Sequence, residues 1–242
     1  TEERLFELEK AKVNRIFLAG ADPFALSTRR LLEIAGLVHE YFPQTRSIGC
    51  FSRVTDVAMK SDEELAKLAL AGFDGLTIGI ESGYDEALAF MDKGYEAGDI
   101  VRECRRLDEA GISYAFFCLA GIAGKGHGIE NAQATAAICN QTNPWLIGVN
   151  MLTVYKSSEL YQEIEAGRWI EAGEVEKYEE IRELVRGLEI PTEFAMLGAS
   201  NPVMIRGRLP EQREEIVGAI ERVVRDVGEE RLRAHRVGLR GL

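Results

Sequence analysis

The sequence predicts an α/β protein built around a parallel sheet. Two observations carry that expectation. Five short apolar runs recur with centres roughly 30 to 38 residues apart, and amphipathic helical stripes fill the intervals. A protein of tight hairpins would set its strands about 8 to 12 residues apart. Each interval here has room for one helix and two loops. Right-handed crossovers between such strands curl the sheet into an open or closed barrel.

The runs are residues 15–19 (RIFLA), 47–51 (SIGCF), 76–80 (LTIGI), 113–119 (SYAFFCL) and 146–154 (LIGVNMLTV). The residues before the first run read as a helix. Ser27 precedes a second helix, whose apolar positions Leu31, Ile34, Leu37, Val38 and Tyr41 keep to one face and which ends at Pro43. Ser61 followed by Glu64 is a capping box that opens a helix closed by Gly72. Further helices run from about 99 to 110, ending at Gly111, and from about 130 to 141. Beyond residue 154 the pattern changes. Charged amphipathic helices at 174–189 and 210–227 flank a segment, 190–209, that reads as irregular, and the basic ending RLRAHRVGLRGL is expected to fray. The chain has no linker and no tandem repeat. It is read as one domain, residues 1–242, with a barrel part at 1–156 and a C-terminal helical extension at 157–242.

The charge balance is 29 Lys and Arg against 40 Asp and Glu, a net −11, which disfavours phosphate backbones and anionic membranes as partners. No apolar stretch approaches the roughly 18 residues of a membrane helix, and the opening residues lack the order of a signal peptide. Cys50, Cys104, Cys118 and Cys139 stand singly, without ligand spacing, so they read as buried thiols in a reducing cytoplasm.

Parallel α/β folds gather their functional groups beyond the carboxyl ends of the strands. Those positions hold Gly20-Ala21-Asp22-Pro23, Ser52-Arg53, Glu81-Ser82-Gly83, Ala120 to Gly124, and Thr153-Val154-Tyr155. The set suits a polar ligand with cationic and hydroxyl groups and a flat apolar part. Each member also has a plainer reading. Asp22-Pro23 makes a turn, Ser82 caps a helix beginning near Asp85, and Arg53 is a surface charge. The run GIAGKGHG at 121–128 fails the phosphate-loop pattern, because no Lys-Ser or Lys-Thr follows its glycines. His127 within it reads as a solvent-exposed residue.

At these same residues the chain resembles the radical S-adenosylmethionine (SAM) proteins. The likeness is carried by RIFLAGADPFAL at 15–26, GIESGYDEALAFMDKG at 79–94, AGISYAFFCLAGIAG at 110–124 and the run at 144–161. Gly198 to Asn201 and Arg206 to Pro210 resemble the tail of a subgroup of uncharacterised Fe–S oxidoreductases. The resemblance covers about residues 12 to 225, and the Glu-Ser-Gly…Lys-Gly segment is its most specific part. It implies a partial (β/α)6 TIM-like barrel missing its first strand, with a C-terminal helical appendage. It implies SAM as cofactor, with Asp22 accepting hydrogen bonds from the SAM ammonium, although Ala21 departs from the usual glycine. By the same resemblance Glu81 approaches the ribose hydroxyls with Ser82 nearby, Lys93 pairs with the SAM carboxylate, and the backbone at Gly121 lies against adenine. Ser52 and Arg53 are weaker assignments. Charge-assisted hydrogen bonds of these kinds are the strong ones.

The family's Cys-x-x-x-Cys-x-x-Cys loop, whose thiolates hold three irons of a [4Fe–4S] cluster, does not occur in these 242 residues. The expectation is that the loop and the first barrel strand belong to an N-terminal segment of the intact protein, and that this chain alone is inactive. The implied function of the intact protein is reductive cleavage of SAM by the cluster, followed by hydrogen abstraction from an unknown substrate. An electron donor would be a partner, and the strand at 15–19 would leave an edge through which chains could associate. Two other classes stand beside this reading: a noncatalytic binding module on the same scaffold, and a TIM-like lyase or aldolase. The last is disfavoured because no lysine ends a strand.

Overall fold

The computed structural model describes Arg4 and residues 12–239. The helix expected at the opening residues lies outside the described residues. In chain order the strands are β1 (Arg15–Leu18), β2 (Ser47–Ser52), β3 (Phe73–Glu81), β4 (Tyr114–Ala120), β5 (Leu146–Met151), β6 (Thr192–Met196) and β7 (Ile205–Leu209). The helices are α1 (Thr28–Tyr41), α2 (Val54–Ala58), α3 (Asp62–Leu70), α4 (Asp85–Phe90), α5 (Ala97–Ala110), α6 (Gly128–Cys139), α7 (Glu159–Glu165), α8 (Glu174–Gly187), α9 (Arg213–Asp226) and α10 (Gly228–Leu239), with a 3-10 turn at Pro23–Ala25. Hydrogen bonding orders the strands β1 to β7 in one open seven-stranded sheet. All five expected strands are present. The chain divides into two compact units, and β3 and β4 contribute residues to both.

The first unit takes in the described residues up to Gly79 together with Asp99–Phe116. Strand β1 pairs in parallel with β2, from Arg15↔Ser47 to Leu18↔Cys50, and β2 pairs in parallel with β3. The β2–β3 register shifts between Ile48 and Cys50. Gly49 sits in that shift, where an added Cβ would stand 2.8 Å from the Gly75 carbonyl and 3.0 Å from the Phe17 ring. Only glycine lets the strands come this close. The capping box of α3 forms as expected: Ser61 Oγ accepts from Glu64 N at 3.3 Å, and Glu64 Oε2 accepts from Ser61 N at 2.9 Å. Helix α1 departs from expectation in its buried face. Thr28, Leu31, Ala35 and Val38 are inside, whereas Leu37 and Tyr41 are more than half exposed. Small Ala35, at i+4 from Leu31 and one turn before Val38, carries the inner stripe, and the bulkier pair lies outside it.

The second unit takes in Ile80–Gly98 and the residues from Phe117 onward. Here β5 pairs in parallel with β6, and β6 pairs antiparallel with β7. The segment 190–209 is therefore not irregular as expected. Two five-residue strands are too short to show a period against their polar content. Their alternation becomes legible only in place, where Ile205, Gly207 and Leu209 face inward and Arg206 and Arg208 point outward to Glu193, at 3.5 and 3.2 Å. Charges on an edge strand of this kind discourage further pairing. The expected fraying of the ending is corrected as far as residue 239: Gly228–Leu239 is helix α10, and its Leu232 and Arg236 are each 1 % exposed, while 240–242 lie outside the described residues.

Candidate functional site

In the first unit, the chain leaves β1 through Gly20, whose φ of 144° lies where side chains are disfavoured, and reaches Asp22 at the start of the 3-10 turn. Asp22 caps nothing with its side chain, and its buried Oδ1 has no protein partner. Burial first, and then the neighbouring Asp56 carboxylate, push the Asp22 carboxyl up to about 6, while Arg53 pulls it the other way. Asp56 is fixed by its own helix: its Oδ2 accepts from Arg53 N at 2.7 Å at the head of α2. Lys60, also buried, donates to the carbonyls of Phe24 at 2.7 Å and Leu26 at 3.3 Å, and its Nζ stands 4.4 Å from the Phe24 ring centre. Desolvation lowers its pKa.

The expected residues Ser52 and Arg53 flank this cluster with different fates. Ser52 is buried and donates its hydroxyl to the Arg53 carbonyl at 3.0 Å, which commits it internally. The Arg53 backbone caps α2, and its side chain is exposed. Sequence reading did not single out Asp56 and Lys60. The available signal was Asp56 at the third position of a helix entered from a strand end.

In the second unit, β3 ends on Glu81, whose φ of 59° is a left-handed conformation for a residue with a Cβ. Such a backbone costs about 1 to 3 kcal/mol and recurs where a side chain must be aimed. Glu81 Oε1 meets Lys93 Nζ at 3.3 Å, with both side chains about three-quarters buried. The turn closing α4 delivers Lys93: its N–H reaches back to the Leu88 carbonyl at 3.1 Å, and Gly94 follows at φ 76°. The two residues expected to meet ligand hydroxyls and carboxylate are thus paired with each other.

Ser82 is fully buried. Its Oγ donates to Asn131 Oδ1 at 2.5 Å and accepts from Tyr84 N at 2.8 Å, so the helix-entry reading fits its geometry better than a ligand contact. Gly121, at φ 87°, is also buried, and an added Cβ there would stand 2.8 Å from Lys177 Cε. The close approach that requires glycine at 121 is made by the Lys177 side chain. A cleft of about 410 Å³ opens beyond the ends of β3 and β4, lined by Tyr84, Phe90, Ile122, Lys125, His127 and Trp169 among others.

None of the four cysteines forms a disulfide, and all four are buried. Burial pushes the Cys50 and Cys139 thiols up to about 12 and the Cys118 thiol upward as well. Iron ligation requires accessible thiolates gathered around one point. Among the described residues no three His, Cys, Asp or Glu side chains are so placed. The cysteines of this chain do not fit a [4Fe–4S] cluster.

Comparison with known proteins gives three results. The family model described as the radical SAM superfamily matches residues 1–137. Comparison with curated proteins finds no significant match. Solved structures share the fold at low identity. The archaeal Elp3 of Methanocaldococcus infernus with an N-terminal deletion aligns at a TM-score of 0.59 and 17 % identity, over 75 % of this chain and 48 % of that one. The radical SAM methyltransferase TsrM of Kitasatospora setae aligns at 0.53 and 19 %, over 68 % and 33 %. Coproporphyrinogen III oxidase (HemN) of Escherichia coli, a radical SAM enzyme, aligns at 0.52 and 15 %, over 93 % and 46 %. The chain spans less than half the length of each of these three.

Proposed function

The chain belongs to the radical SAM superfamily, and from that premise we propose that it is the SAM-binding part of a radical SAM enzyme. The observation that carries this reading is the Glu81–Lys93 pair, held by a strained backbone at a strand's carboxyl end. SAM presents a ribose diol, a carboxylate and an ammonium. A carboxylate such as Glu81 accepts from hydroxyls, and a lysine such as Lys93 pairs with a carboxylate. The ligand would exchange the internal ion pair for its own groups, so pairing is conserved as it binds. When bound in this family, SAM supplies one-electron hydrogen-abstraction chemistry. The residues of this chain would orient it and exclude water.

Because the cysteines do not suit a cluster, the affinity of this chain rests on side-chain and backbone contacts alone. Each contributes about 0.5 to 1.5 kcal/mol net. After the cost of immobilising the ligand, that sum predicts a Kd of about high micromolar to millimolar. Calorimetry with SAM tests it. Weak saturable binding that weakens at least several-fold in Lys93→Ala supports the reading. Absence of binding at millimolar SAM, or binding indifferent to Lys93→Ala, refutes it and favours a scaffold without the cofactor.

A further inference from the structure

Helix α8, in the part of the chain read as an appendage, sends one carboxylate into the interior beneath the residues discussed above. Glu180 is 4 % exposed. Its Oε2 accepts from the backbone N–H of Gly121 at 2.9 Å, and its Oε1 accepts from Asn131 Nδ2 at 2.6 Å. Asn131 in turn accepts from Ser82 Oγ, which accepts from Tyr84 N, and Gly83 N donates to Thr135 Oγ1 at 2.9 Å. One buried chain of hydrogen bonds therefore joins the loop after β4, helix α6 and the loop after β3. Glu81 and Glu180 also line the same internal cavity of about 10 Å³, together with Asn131 and Thr135.

A carboxylate buried to this extent is costly, and an apolar residue at 180 would spare that cost. What the carboxylate provides is two acceptor oxygens with a fixed separation, each taken by a donor from a different element. We infer that Glu180 is a positioning residue: through Gly121 on one side and Asn131–Ser82 on the other, it sets the backbone geometry that aims Glu81 and its partner Lys93. The relay stands on its own geometry, and its effect on ligand binding rests on the SAM reading proposed above.

The protonation state of Glu180 gives the relay a signature. Both neighbours are donors, so the relay is complete only when both oxygens accept, and a proton on either oxygen opposes one N–H. Burial pushes the group up to about 8, against the opposing pull of its two donors. The charged or titratable groups around it are Glu176 and Lys177 on its own helix, Cys118 on β4 and Glu81 at the end of β3, whereas α6 presents the neutral Asn131 and Thr135.

The test compares the wild-type chain, Glu180→Gln and, as a control, Glu183→Gln, a partly buried neighbour on the same helix that accepts from Gln133 Nε2 at 3.0 Å. Two readouts are followed from pH 7 to 9.5: the amide resonance of Gly121, and SAM affinity by calorimetry. Taking the wild-type to variant affinity ratio at each pH cancels the ligand's own titration. The Gly121 amide should shift through a midpoint near pH 8 in the wild type and in Glu183→Gln, and stay flat in Glu180→Gln. The affinity ratio for Glu180→Gln should grow from near unity at pH 7 to about tenfold at pH 9.5. If Glu180→Gln fails to fold, Ser82→Ala interrupts the far end of the relay. It should weaken SAM several-fold while leaving the Gly121 titration in place. A Gly121 amide that does not titrate in the wild type, or that titrates unchanged in Glu180→Gln, overturns the inference. So does SAM affinity at pH 9.5 that is unchanged in a folded Glu180→Gln or Ser82→Ala protein. A titrating amide in a wild type that binds no SAM upholds the relay and overturns the SAM reading instead.

Discussion

Replacing Arg236 by methionine should cost this protein a large part of its stability. The guanidinium is 1 % exposed and makes a forked contact with Glu174, Nε to Oε1 at 3.1 Å and Nη2 to Oε2 at 3.0 Å. Its Nη1 also donates to Thr153 Oγ1 at 2.8 Å and to the Met151 carbonyl at 3.3 Å. Arg236→Met leaves Glu174 fully buried with one cationic partner, Lys177 at 3.2 Å, which also serves Glu171 at 3.3 Å. Breaking a buried pair from one side costs about 3 to 5 kcal/mol. Retention of Lys177 argues for the lower part of that range, and the two lost acceptor contacts argue against anything smaller. In a chain of this size about 3 kcal/mol corresponds to a fall in Tm of roughly 6 to 12 °C. Removing both charges in Arg236→Met/Glu174→Met should recover about 2 kcal/mol or more, because no buried carboxylate is then left short of a partner. Urea unfolding of the two single variants and the double variant, followed by tryptophan fluorescence, gives the coupling energy directly. A single-variant loss below about 1 kcal/mol, or a double variant equal to the sum of the singles, would show that α10 is not anchored by this pair.

Two further outcomes follow from backbone strain and from burial. At position 81, Glu81→Gly and Glu81→Ala lose the same carboxylate, but only glycine adopts a φ of 59° freely. The glycine variant should therefore be the more stable by about 1 kcal/mol in thermal unfolding, the reverse of the usual order, and an alanine variant of equal stability would remove the strain argument. At Asp22 the folded carboxyl titrates near 6 against 3.8 in the unfolded chain. Between those values the folded state holds the extra proton, so this group's contribution to stability falls as pH rises from about 4 to 6 and is level above. Asp22→Asn should abolish that decline, and a wild type and variant with parallel pH–stability curves would show that Asp22 is not desolvated.

The first five strands were legible because their information is local. An apolar run of five to nine residues needs only its neighbours to declare itself, and so does the Ser61–Glu64 capping box. Glycines such as Gly111, at φ 76°, likewise mark a helix end from the sequence alone. The positions of Asp22 and Glu81 at strand ends followed from the same local punctuation, whereas Lys93 was reached through the resemblance to the radical SAM proteins. What the sequence could not separate was a solvated charge from a buried one. Asp56, Lys60, Glu174, Lys177, Glu180 and Arg236 carry no local mark that sets them apart from surface charges, and each is at least nine-tenths buried. Their partners stand far along the chain, 62 residues away for Arg236 and Glu174 and 59 for Glu180 and Gly121. Strands β6 and β7 belong with them, since five residues of mixed polarity become a strand only when a neighbouring strand supplies the hydrogen bonds. Local periodicity reports which face of an element is apolar. Whether a charge on that element can leave water depends on a partner with which it shares no stretch of sequence, and the tertiary structure alone brings that partner to it.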